Sequence, residues 1–453
     1  MEKKKEKQKK KNIEHQKAVL ERIRLNAAGV DIGSEEIYVA TTNGPVKHFS
    51  TFTQGIRKSL EHINAQGVDS VVMETTGIYW WPIYEAYTAE GLEVYIVNAC
   101  HAKNVPGRKT DVLDSEWLRE LHTFGLLRSS FIPETSTCKL RSYMRLRQDH
   151  IGMAASHVQH MQKNLDVMNI KLHNVISSLT GKSGMLIIEA ILAGERDTTR
   201  LAALCDNRID KKKLPDIKLS LEGQYKEEHL FGLRQALNLW RDYQSKIKEC
   251  DVKIELFLKE MTKNKPKPKE LIPPKPISNP NKLKIEGLHE MLMAYTDGRD
   301  AGQLPGFNDY SLIRVISETG TDMSPWPTEK HFTSWLNLAP WPNNSGKKKK
   351  TRRRKIQNRA GQMFREMARS VGNSKYQALG GFYRRIKSRH GARVANKAAA
   401  RKIAVLFYRL MKYGFDYVEH GLEEYEKKYQ ERILKSITKK ARQFGMKLIP
   451  EVA

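Results

Sequence analysis

The chain of 453 residues carries 79 Lys and Arg against 51 Asp and Glu, a formal charge of +28, and 40% of its residues are apolar. That length and apolar content allow a sizeable core divided over two or three domains, and the positive surplus favours phosphate backbones as partners. No apolar run nears the ~18 residues that span a bilayer, no apolar signal core follows the start MEKKKEKQKKK, and Cys100, Cys138, Cys205 and Cys250 form no C-x-x-C pair. A membrane protein and a disulfide scaffold are excluded on these grounds, and a cytoplasmic, nucleoid-associated protein is expected.

Residues 1–26 read as a basic N-terminal arm, disordered over its low-complexity start. Three closely spaced β-rich runs follow, AAGVDIG, EEIYVATT and VKHFSTF, and then the helical stretch QGIRKSLEHINAQG. SVVMETTG reads as a buried fourth strand, WWPIYEAYTAEG as a helix closed by Gly91, and LEVYIVNA as a fifth strand. DVLDSEWLRELHTFG opens a helix near Asp111 that stops at Gly125. The order βββαβαβα over residues 27–134 is that of an α/β ribonuclease H-like domain.

Residues 135–261 read as long helices. Ile151, Ala154, Val158, Met161, Leu165, Met168, Leu172, Val175 and Leu179 recur at alternating steps of three and four, which predicts four heptads of coiled-coil seam. A second stripe, from Leu230 to Leu258, is interrupted by Gln244 and Asp251. The two stripes form an antiparallel hairpin or supply a dimer interface. KNKPKPKELIPPKPISNPNK reads as an extended Pro/Lys-rich linker, assigned to 262–284, that separates a front half from a back half. Residues 285–430 form a mainly α C-terminal domain, in which the Pro-Gly turn of LPGFNDYSLIRVISETG suits a DNA phosphate, as in helix-hairpin-helix segments. The last long helices end near 430, and 431–453 remain as a basic tail.

Two places carry chemistry. Asp31 and Glu74 end the first and fourth strands, where neighbouring strands would make them converge, and Asp111 and Asp114, three residues apart, share a helix face. Four oxygen donors of this kind suit Mg2+, with Mn2+ as the alternative, and two such ions can stabilise the attacking and leaving oxygens of phosphoryl transfer. The other place is NNSGKKKKTRRRK, where Ser345 and Gly346 make an exposed turn ahead of a dense basic run. A hydroxyl there can attack a phosphodiester with cations stabilising the developing charge, whereas a plain turn and a solvated basic tract are the ordinary reading.

GVDIG, METTGIYW, VNACHAKNVPGRKTDVLDSEWLRELHTFGLL, FTSWLNLAPWPNNSG and AAARKIAVLFYRLMKYG together resemble the DEDD-type insertion-sequence transposases, relatives of the Piv-type DNA invertases, from about residue 27 to 420. The resemblance implies a RuvC-like domain, a coiled coil and a C-terminal transposase domain. It implies a DEDD set of Asp31, Glu74, Asp111 and Asp114 holding Mg2+, and a nucleophilic Ser345 that forms a 5′-phosphoserine bond to DNA. Donor and target DNA, a structured non-coding bridge RNA and a homo-oligomer, dimer or tetramer, with composite sites are its implied partners. Lys109 of the KTDVLD motif, with Lys347, Lys348, Lys349, Lys350, Arg352, Arg353, Arg354 and Lys355, is expected to touch nucleic acid. The competing expectations are a junction-resolving nuclease that uses only the carboxylates, and a non-catalytic nucleic-acid scaffold.

Overall fold

The computed structural model describes residues 21–447 apart from 76, 99–110, 267–271, 341, 346–347, 352–357, 375–377 and 415; for 111, 342–345, 348–351 and 416–426 it describes the backbone. The basic arm up to residue 20, Lys109, Lys347 and the run Arg352–Lys355 lie outside the described residues. Contacts divide the chain into two units, 1–132 and 133–453.

The first unit is a mixed five-stranded sheet with helices. Strands β1 (Ala27–Ile32), β2 (Glu36–Thr41) and β3 (Lys47–Ser50) form an antiparallel meander. Helix α1 (Thr53–Ala65) leads to β4 (Ser70–Glu74), α2 (Trp80–Ala89) leads to β5 (Glu93–Val97), and α3 (Asp111–Thr123) closes the unit. The strand order is β3-β2-β1-β4-β5, with β1, β4 and β5 parallel. This is the ribonuclease H-like arrangement expected from the element order.

The pleat divides the sheet into two faces. Ala28, Val30, Ile32, Val71, Met73 and Ile96 pack against Ile56 and Ile63 of α1 and Ile83 and Tyr87 of α2. On the opposite face Val72 and Val97 meet Leu118 of α3.

The second unit is mainly helical. Helix α4 (Thr135–Val167) is followed by three short helices, α5 (Lys182–Leu192), α6 (Thr198–Ala203) and α7 (Leu214–Ser220), and by α8 (Glu227–Thr262). Helices α4 and α8 run antiparallel: Lys139 reaches Glu260, Arg147 reaches Asp251, Ile151 and Ala154 meet Ile247, and Gly232 lies against Asn164. The two apolar stripes therefore face each other within one chain, and Leu165, fully buried there, is not a surface left for a second copy.

The heptad stripe is shorter than its sequence pattern. Helix α4 stops at Val167, and Asn169 takes a left-handed φ of 60° that turns the chain. Leu172 and Leu179 continue the spacing by coincidence of position and pack instead in a cluster with Ile187, Ile188, Leu201 and Ile217 from α5, α6 and α7. The four unbroken heptads are thus corrected to one helix pair capped by a knot of short helices.

Asp251 is not a break in the second stripe but a buried partner. Arg147, 2% exposed, donates from Nε to Asp251 Oδ1 at 2.6 Å and from its terminal nitrogens to the carbonyls of Asn281 and Lys282 at 2.9 and 3.1 Å. Asp251 Oδ2 accepts from the Lys284 amide at 3.2 Å. The segment 272–284 carries no helix or strand, as its prolines require, yet its end is docked on the helix pair.

Helices α9 (Leu288–Tyr295), α10 (Asp309–Thr319) and α11 (Glu329–Trp335) follow, then a hairpin of β6 (Pro342–Ser345) and β7 (Lys348–Thr351). Helices α12 (Arg359–Asn373), α13 (Ala378–His390), α14 (Ala392–Tyr413) and α15 (Asp416–Gln443) complete the chain. Helicity thus continues well beyond residue 430. Aromatic rings of α11, α12 and α14 make the core, with Phe332, Phe364 and Phe407 mutually in contact. The Pro-Gly turn before α10 is tied into the helical core on one side. Gly306 packs against Met367 and Val371 of α12, Asn308 caps the Ser311 amide, and the buried Asp309 carboxylate is held at 2.9 Å by His289. Among the described residues no helix is long and apolar enough to cross a membrane.

Candidate active site

The carboxylate edge is built by three features of the first unit. Strands β1 and β4 are parallel and in register from Ala27 opposite Ser70 to Val30 opposite Met73. The next step along that register is Asp31 beside Glu74, on neighbouring strands that run about 4.8 Å apart. Both residues are half-buried, and by the pleat both project to the face that carries α3, two positions beyond Gly29 and Val72.

The direction of α3 follows from contacts along its length. At its C-terminal end the Thr123 carbonyl accepts from the Ile23 amide, and His122 Nε2 lies 2.6 Å from Ser70 Oγ, where β4 begins. At its middle the backbone lies directly on Gly29: a Cβ there would stand 2.1 Å from the Ser115 carbonyl and 2.4 Å from the Arg119 amide. Helix α3 is therefore antiparallel to β1, and its first turn, Asp111 and Asp114, extends towards the edge where Asp31 and Glu74 end their strands. Asp114 is half-buried; of Asp111 the backbone position alone is described.

The far end of α3 is anchored by a buried group of polar residues. His122 is 1% exposed, its ring lies 4.7 Å from that of Tyr95 at a tilt of 60°, and burial with the nearby Arg24 guanidinium pushes its pKa down to about 4. Arg24 in turn donates to Tyr95 Oη at 2.8 Å. The imidazole is held neutral, and Ser70 supplies its hydrogen-bond partner. Sequence reading did not single out Gly29, Ser70 or His122. A glycine inside a buried strand, two residues before an acid, was the available signal, since such a glycine marks a close backbone approach.

The residues of the edge are chemically suited to a hard divalent ion: all four are carboxylates, with no Cys or His among them, and Asp31, Glu74 and Asp114 are half-buried. Among the described residues, which exclude the Asp111 side chain, no three His, Cys, Asp or Glu side chains stand within reach of one ion. Asp31, Glu74 and Asp114 are thus placed on converging elements.

Ser345 belongs to the second unit. It ends β6, and the antiparallel register sets it opposite Lys348, with Asn344 opposite Lys349, Asn343 opposite Lys350 and Pro342 opposite Thr351. Ser345 thus ends the first strand of a two-stranded hairpin whose second strand is Lys348–Thr351, within the basic run, while Gly346, the other residue of the expected turn, lies outside the described residues. Opposite residues of an antiparallel pair share a face, so Ser345 and Lys348 belong to one side of the hairpin.

Comparison with protein families agrees with both units. A DEDD transposase family model of the IS110 type matches residues 28–170, which include all four carboxylates, and the transposase IS116/IS110/IS902 family model matches residues 301–383, which include Ser345. No curated protein matches the chain. The chain is a member of the IS110-type DEDD transposases, enzymes that cleave and rejoin DNA.

Proposed function

We propose that this transposase cuts and transfers DNA strands for insertion-sequence mobility, with Asp31, Glu74, Asp111 and Asp114 as ligands of Mg2+ and Ser345 as the nucleophile. The observation that carries the reading is the register of β1 and β4, which puts Asp31 beside Glu74 at the edge towards which α3 runs its two aspartates. When bound, the ion would supply charge stabilisation for the oxygens of the reacting phosphodiester. The four carboxylates hold it there, and Mn2+ has the same donor preference.

In the serine step the Ser345 hydroxyl loses its proton and bonds to phosphorus. The P–O3′ bond breaks, and the released 3′ oxygen takes up a proton. The product is a 5′-phosphoserine that a second 3′-hydroxyl reverses, so no high-energy cofactor is consumed. Lys348, opposite Ser345, and the cations that follow it are the groups to stabilise charge on the phosphate. A structured bridge RNA that pairs with donor and target DNA is proposed as the source of sequence choice, and a homo-oligomer as the active assembly. Specificity held in base pairing leaves no base-reading residues to find in the protein.

The test incubates the purified protein with Mg2+, the transcript of the element's flanks and end-labelled donor and target DNA, and resolves the products under SDS. Wild type should yield a covalent protein–DNA adduct that Ser345→Ala abolishes. Asp31→Asn should lower strand cleavage by about a thousandfold, the loss of several kcal/mol of charge stabilisation. Free cleaved ends that persist in Ser345→Ala and vanish in Asp31→Asn would replace the serine mechanism by a carboxylate-only nuclease.

A further inference from the structure

Between Glu366 and Asp416 the sequence contains no acidic residue, while Lys and Arg recur throughout. The structure folds most of this stretch into α13 and α14, joined at Gly391, whose φ of 82° only glycine adopts at low cost. At the joined end every residue from Lys387 to Val394 is exposed, Arg389, His390 and Arg393 included. The opposite end of α14 is different: Arg409 is held by both oxygens of Glu329 at 2.8 and 2.7 Å, and Lys412 donates to the Pro327 carbonyl at 3.1 Å.

Positive charges also crowd along the hairpin's flank. Lys402 stands 4.6 Å and Arg385 5.7 Å from the Phe382 ring, and burial together with Arg385 lowers the Lys402 pKa. Like charges gathered on two adjoining helices that contain no carboxylate destabilise the isolated fold, and a bound polyanion offsets that cost. The occupant favoured is B-form DNA, the substrate class of the matched transposase families, whose wide major groove spaces the flanking phosphates differently from the deep, narrow groove of A-form RNA. The exposed tip also lies beyond residue 383, where the family match ends.

We propose that the tip of the α13–α14 hairpin, with Lys387, Arg389 and Arg393, docks on the phosphate backbone of duplex DNA. The inference rests on the chain's being a DNA transposase and uses neither the carboxylates nor Ser345. The phosphates are bound by exposed cations at the end of a rigid hairpin, so the contact carries affinity and orientation, with no base readout.

The test measures binding of the full-length protein to duplex DNA of scrambled sequence in EDTA, where cleavage is absent, across a series of salt concentrations. Each phosphate contact contributes about 0.9 to the slope of log K against log salt, so K387Q/R389Q/R393Q should be shallower by about 2.7 units. Arg389→Lys with Arg393→Lys should keep the wild-type slope, and thermal melting checks that both variants remain folded. An RNA duplex of the same sequence should show no change between wild type and the triple variant. An unchanged DNA slope, or an equal loss with RNA, would overturn the proposal. Because the assay excludes cleavage, its outcome does not depend on whether the serine chemistry holds, which keeps the two readings separable.

Discussion

In the sheet unit, Asp31 and Glu74 stand half-buried at the ends of parallel strands, whereas in the helical unit Asp251 is 4% exposed and lies under the Arg147 guanidinium. Glu318, 6% exposed, is likewise gripped by Arg145 at 2.9 and 2.7 Å. The same chemical group therefore serves opposite ends. An acid covered by a cation from its own chain holds distant segments together, and an acid at an open strand edge can exchange its partner for an ion from solvent. Removing water from a charge costs several kcal/mol, so a fully buried acid requires a fixed partner and an edge acid does not.

The sharpest way to probe this contrast is to remove the buried cation. Arg147→Met should lower unfolding free energy in urea by about 3–5 kcal/mol, because it strands Asp251 and two linker carbonyls, while Arg147→Met with Asp251→Leu should recover most of the loss. Asp31→Asn, at the edge, should shift the same transition by less than about 1 kcal/mol. Equal losses at the two places would erase the distinction.

The helix pair can be tested next. Leu165→Ala should cost about 2–5 kcal/mol by opening a cavity between α4 and the short helices, with the sedimenting mass unchanged. A variant that kept its stability but changed its mass would return the apolar stripe to an interface between copies.

A third measurement concerns the pH response of the sheet unit. His122 has a folded pKa of about 4 against an ordinary 6.5, so between those values the unfolded chain binds the extra proton and stability falls as pH falls. Its full contribution, about 3 kcal/mol, is present above pH 6.5 and absent below pH 4. Urea transitions of wild type and His122→Gln over that window should differ in slope, and parallel curves would remove His122 as the origin.

Much of the sheet unit was legible because short strands and their punctuating glycines leave local signals. Gly91 and Gly125 both adopt the positive φ that ends a helix, and the acids stand at strand ends as the runs GVDIG and VVMETTG suggested. Register was not legible, since it depends on which residues of β1 and β4 meet. The helical unit hid more. The spacing of Leu172 and Leu179 continues a heptad that the left-handed Asn169 has already ended, because periodicity records spacing and is blind to a single dihedral. Asp251 read as a defect because its partner lies 104 residues away. The strand Lys348–Thr351 was missed because four residues dominated by lysine have low intrinsic strand preference, and pairing with Pro342–Ser345 overrides it.

The contact between Gly29 and α3 makes the helix a lever with its fulcrum on the sheet. From the middle of the contact at Ser115–Arg119 the helix extends about 9 Å to Asp111 and about the same to Thr123, at 1.5 Å per residue. A tilt about that fulcrum moves both arms by equal and opposite amounts, so slack at the Ser70–His122 joint is delivered undiminished to the aspartates. The alignment of the acids is thus governed by a hydrogen bond at the opposite rim of the sheet, and a methyl group at the fulcrum would displace the whole arm at once.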